Sequence, residues 1–182
     1  LIVVGYGTVT SSDETFSCSD GTSTLQACTA IRGTFTKWQF FYLIEANSGN
    51  QTYTVSGNTQ GYVSTVIAME FSYEGSIRLA DSANAADDET TAPSSGDISA
   101  SGASLVLGGT YSYAGGDYSD FEVDGLAADG VKQYDDLANW PPMWFRQFAS
   151  SMTGTVSCAT EDVGYWACSA IAFEEDTATS SS

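Results

Sequence analysis

The sequence predicts an all-β fold, a sandwich of two facing sheets assembled from two similar halves. Three observations carry that reading. Apolar residues recur either at a period of two or in short aromatic and β-branched runs, the patterns of half-buried and buried strands. Turn-forming clusters such as Ser19-Asp-Gly, Asn47-Ser-Gly-Asn, Ser56-Gly-Asn and Ala114-Gly-Gly-Asp separate those runs. The two halves of the chain also resemble each other at an offset near 104 residues.

Taken in order, residues 1–9 are an apolar run carrying glycines and read as a strand. Residues 40–46 and 62–71 are rich in aromatic and β-branched residues, and Gln51-Thr-Tyr-Thr-Val-Ser alternates polar with apolar. Residues 81–97, with Asp87-Asp-Glu-Thr-Thr and Pro93, are small, polar and acidic, and read as a linker between halves spanning about residues 1–80 and 100–175. Residues 105–113 repeat the opening run, and Met152-Thr-Gly-Thr-Val-Ser-Cys alternates again. The best helical stretch is short, residues 131–138, and residues 176–182 read as a frayed tail. The repeat sets Leu1-Ile-Val-Val-Gly-Tyr-Gly against Leu105-Val-Leu-Gly-Gly-Thr-Tyr, and Tyr62-Val-Ser-Thr-Val-Ile-Ala-Met-Glu against Trp166-Ala-Cys-Ser-Ala-Ile-Ala-Phe-Glu. Residues 38–44 find a looser counterpart in 144–148. A length of 182 residues suits one domain, and 42% hydrophobic residues supply a core.

Charge narrows the function classes. The net charge is −18, because 23 acids face only 5 bases: Arg32, Lys37, Arg78, Lys132 and Arg146. Such a field repels phosphate backbones and anionic membranes, so neither nucleic acid nor membrane insertion is expected. No stretch approaches the ~20 apolar residues of a membrane span. The chain opens inside a strand with no leader pattern, which reads as a removed leader or as missing upstream residues.

Four cysteines fall in two close pairs, Cys18 with Cys28 and Cys158 with Cys168. Neither pair has zinc or redox spacing, and there is no histidine to complete a zinc site. Two local disulfides are the expectation, with an oxidising compartment or particle exterior to match; four buried thiols are the other reading. Asn50-Gln-Thr52 permits glycosylation.

The order of motifs resembles a family of domains in phage and bacterial surface proteins. The opening Leu1-Ile-Val-Val-Gly5, the aromatic Phe40-Phe-Tyr-Leu43 and Ala46-Asn-Ser-Gly-Asn-Gln-Thr-Tyr-Thr-Val55 carry it. Ala68-Met-Glu-Phe-Ser72, Leu105-Val-Leu-Gly108 and the terminal run 166–173 complete it. The resemblance implies a concanavalin-like or jelly-roll sandwich in virion appendages, surface fibres and secreted proteins. The cysteine pairs and the shortage of bases depart from the family's pattern.

Catalysis finds little purchase. Without histidine there is no Ser-His-Asp or Cys-His arrangement in its usual form, and no nucleophile elbow or phosphate loop occurs. Glu45 and Glu70 are the candidate carboxylate pair for glycan cleavage, the alternative being solvent-facing groups or partners for Arg32 or Arg78. Acidic loops offer oxygen ligands for calcium: Asp117, Asp120, Glu122 and Asp124 first, with Asp81, Asp87, Asp88 and Glu89, and Asp135 and Asp136, as further clusters. None has EF-hand spacing. Trp140 and Tyr134, near Tyr111, Tyr113 and Tyr118 in sequence, are the candidate glycan platform, while Trp38, Trp144 and Trp166 read as core. The function expected is a non-enzymatic structural or adhesive module of a virion or extracellular filament, assembling with copies of itself or neighbouring subunits. A carbohydrate-binding module is the alternative, and a glycan-cleaving enzyme the second alternative.

Overall fold

The computed structural model describes residues 1–10, 15–46, 49–57, 64–113, 117–132 and 141–176, without the side chains of residues 87–89. Every element in these residues is a strand. The first sheet joins β1 (Ile2–Val9), β5 (Thr36–Leu43) and β7 (Ser64–Glu70) with the short β3 (Gln26–Ala27) and β4 (Ile31–Arg32). The second joins β8 (Ile77–Thr90), β10 (Ser104–Tyr113), β13 (Gly130–Lys132), β14 (Met143–Phe148) and β17 (Gly164–Glu175). Smaller sheets pair β2 (Ser17–Ser19) with β6 (Thr54–Ser56), β9 (Ile98–Ala100) with β15 (Met152–Gly154), and β11 (Tyr118–Val123) with β12 (Leu126–Ala127) and β16 (Val156–Thr160).

The two large sheets face each other. Val3, Trp38, Phe40 and Met69 of the first meet Leu107, Met143, Ile171 and Phe173 of the second in a central core. Strand alternation sends the other residues outward, and there the chain builds two further cores. Ile2, Val4, Tyr6 and Phe41 are covered by Phe16, Cys18 and Leu25. On the far side Val106, Trp144, Trp166 and Ala170 meet Ile98, Val123, Met152 and Val156. Both large sheets are thus covered on both faces, which explains near-continuous burial along β1, β5 and β17 in place of simple alternation.

The repeat has a topological counterpart. β1 lies between β5 and β7, and β10 lies between β14 and β17. Two tryptophans anchor the halves where glycines make room. A methyl group at Gly5 would sit 2.5 Å from the Trp38 ring, and one at Gly109 would also collide with Trp38. Gly108 makes the same room for Trp144. The halves differ by a slip of two residues: Ile67 faces Gly5, whereas Ile171 faces Leu107. An even slip keeps every side chain on its face.

Three expectations change. The 81–97 linker is largely strand, since β8 runs through Thr90 and pairs with β17. Its small residues fit between two cores; Ala83 and Ala85 belong to the outer one, and Leu79 and Ala86 to the central one. Of the helical stretch 131–138, Val131 and Lys132 are in β13, and residues 133–138 lie outside the described residues, as do 177–182 of the tail. The expected disulfides are not formed, and all four cysteines are free thiols. Cys18 lies in the core outside the first sheet and Cys28 packs against the central core, so the sheet itself separates them. Cys158 and Cys168 do share one core. No helix among the described residues is long and apolar enough to cross a membrane.

Candidate functional site: a sheet edge beside a groove

Among the described residues β7 ends the first sheet, and its Ala68–Glu70 end borders a groove of about 740 Å³. Met69, Glu70 and Phe71 form one wall, Val131, Lys132 and Phe145 the other. β13, which carries Val131 and Lys132, is in turn the edge of the second sheet. The groove is therefore a seam between two sheet edges. Phe71 and Phe145 close its floor with their rings at 5.1 Å and 79°. Lys132 reaches across it, and its Nζ donates to the Ala68 carbonyl at 2.8 Å.

The phase of the β7 ladder follows from its end. Phe71 N donates to Leu1 O at 2.9 Å, and Leu1 N to Phe71 O at 3.0 Å. In an antiparallel ladder alternate residues turn their backbone groups toward the partner. Met69, Ile67 and Thr65 therefore bond to β1, and Glu70, Ala68 and Val66 point theirs away from it. The Lys132 contact to Ala68 O agrees with that phase.

A second exposed feature lies at the opposite end of the central core. Tyr113 pairs with Tyr165 across β10 and β17, and Phe35 leans on both from the turn before β5. The Phe35 ring is 5.0 Å from Tyr165, edge to face, and 6.3 Å from Tyr113. Phe35 and Tyr113 stay 41% and 49% exposed, high for rings of that size. Asp117 O, accepting from Glu161 N, brings carboxylate-bearing residues to the turn that leads into Tyr165.

The residues singled out from sequence fare differently. Trp38, Trp144 and Trp166 are core, as expected. Trp140 and Tyr134 lie outside the described residues, with Asp135 and Asp136. Asn50 is exposed on the rim of the seam. Glu45 and Glu70 are both exposed; only Glu70 borders the seam, and Glu45 sits after β5 with φ of 60°. Asp117, Asp120, Glu122 and Asp124 are spread along β11 and its ends, and no three such side chains gather to hold a metal among the described residues. Asp81 is engaged, its Oδ2 accepting from Ser99 N at 2.9 Å and Ser99 Oγ at 3.2 Å. Burial pushes the Cys18 thiol up to about 11 and Cys28 to about 12, and raises Cys158 and Cys168 as well, so none is an activated nucleophile.

Sequence reasoning missed both surface features for different reasons. The Phe35 cluster joins three distant segments, and nothing local announces it. The bareness of β7 was legible, because residues 62–69 hold no charge in a chain with 23 acids. No family model, no curated protein and no solved structure matches this chain.

Proposed function

We propose that this chain is a non-catalytic structural or adhesive module of a virion or extracellular filament, attaching to neighbouring subunits through its strand edges. The observation that supports this is the β7 edge: seven residues long, in unbroken register with β1, and uncharged from Ser64 to Met69. Folded proteins blunt such edges with charge, proline or bulges, because an uncovered edge recruits another strand. The test is solution assembly. Light scattering across a concentration series should show the mean mass rising above that of one chain, and electron micrographs should show ordered particles or filaments. A monomer at every concentration contradicts the reading.

A second reading, a module that binds neutral glycans, draws on Phe35, Tyr113 and Tyr165. Exposed rings offer apolar faces to sugar C–H groups, and the acidic surface disfavours anionic sugars. Titration with neutral oligosaccharides should shift the Tyr113 and Tyr165 ring resonances, and Tyr113→Ala should abolish the response. Unmoved resonances across a panel of such sugars count against it.

A further inference from the structure

The internal repeat leaves one place unfilled. In the second half, β17 is flanked by β10 on one side and by β8 on the other. Among the described residues its counterpart β7 is flanked by β1 on one side only, and the seam opens on the other side along Ala68 to Glu70. The repeat therefore marks the seam as the position of an added strand. The two outer edges are also built differently. β8 carries Arg78, Asp81, Asp87, Asp88 and Glu89, and its pairing with β17 is interrupted by bulges. β7 has neither device along Ser64 to Met69. Val66, at the middle of the edge, is 38% exposed.

β8 also shows what a strand in that position can be made of. It is Ala-, Ser-, Asn- and Asp-rich, with low intrinsic strand propensity, and yet it forms a 14-residue strand because β17 templates it. One segment of this chain of matching small-residue type, whose side chains carry none of β8's charges, is Thr177-Ala-Thr-Ser-Ser-Ser182. Six extended residues span roughly 20 Å, close to the length of β7. Its lack of charge suits a bare edge on a molecule of net charge −18.

Resting on the assembly reading above, we infer that the seam accepts residues 177–182 of a second copy of this chain as an added strand on β7, displacing the Lys132 ammonium from Ala68 O. Residues 177–182 are poorly placed to serve β7 of their own chain: the turn between β7 and β8 takes residues 71–76, and the equivalent turn after β17 would use 176–181. A neighbouring copy can lay the whole segment along the edge. Head-to-tail donation of this kind is heterologous and generates rings or filaments.

The experiment uses two complementary variants. Val66→Pro keeps the donor segment but removes an outward N–H and places a ring on the edge, leaving the β1 ladder bonds intact. Deletion of 177–182 keeps the edge and removes the donor. Each alone should be monomeric by light scattering, with wild-type circular dichroism and thermal midpoint. Mixed in equal amounts they should form a one-to-one dimer that grows no further, whereas the wild type grows. Val66→Lys should behave as Val66→Pro does, which guards against a proline-specific folding defect. If the deletion variant assembles like the wild type while Val66→Pro does not, the donor is another segment; this inference falls and edge-mediated assembly stands. If all variants assemble alike, β7 is not the contact and this inference falls. If the wild type itself is monomeric throughout, both fall.

Discussion

At the scale of single residues, the most informative buried charge is Glu174. Its side chain is 4% exposed, and its carboxylate accepts from Ser101 N at 2.7 Å, from Ser101 Oγ at 3.0 and 3.1 Å, and from Arg78. The Ser101 N–H is the largest influence holding the carboxyl below its usual range; burial opposes it, and the Ser101 hydroxyl and Arg78 assist. The folded-state value is depressed, so the stabilisation is fully present above the unfolded value of about 4.3 and is lost as pH falls through the folded value. Glu174→Gln should therefore lower unfolding free energy near neutral pH by about 1.5–3 kcal/mol, the worth of hydrogen bonds to a charged group. The gap to wild type should close in acid, as measured by denaturant unfolding across a pH series. A gap that persists unchanged below pH ~3 assigns the effect to packing instead. None of this was legible beforehand, because Glu174 and Ser101 belong to distant segments. The tryptophans were legible, since Trp38, Trp144 and Trp166 lie in aromatic or apolar runs.

At the scale of elements, legibility followed side-chain size. β1, β5, β7, β10 and β17 were readable because aromatic and β-branched residues mark them. β8 was read as a linker because its residues are small and acidic, yet size is what its position demands. The strand touches two cores at once, and a break in register between Ala172 and Phe173 of β17 rephases which residues face which core. A period-two signal broken by a bulge and written in alanine leaves no hydrophobic alternation to find. The repeat was legible at its framework strands and not beyond them. β17 lies between β10 and β8, whereas β7 has β1 on one side and no described strand on the other, so the halves differ where the candidate site is. The cysteine expectation failed at this scale too. Ten residues of separation said nothing about which side of a sheet each thiol would reach, and Cys18 and Cys28 fall on opposite sides.

At the scale of the whole molecule, 23 acids against 5 bases make electrostatics a repulsive term that few pairs can offset. Arg78 is committed to Glu174, and Arg146 to Asp129 at 3.4 Å and to the Ala127 carbonyl. A protein held together by ion pairs loses stability as salt screens them; one dominated by self-repulsion gains it. The second sign is expected here. The thermal midpoint should rise as sodium chloride lifts ionic strength from about 0.01 to 1 M, over which the screening length shrinks from about 30 to 3 Å. Association should respond in the same direction, since two bodies of charge −18 must approach while the proposed contact sets a strand without charged side chains on an edge uncharged from Ser64 to Met69. Light scattering across the same salt series separates this from an interface built on complementary charge, which weakens with salt. Assembly that fell as salt rose would place the contact at Lys132 or the arginines and away from the β7 backbone.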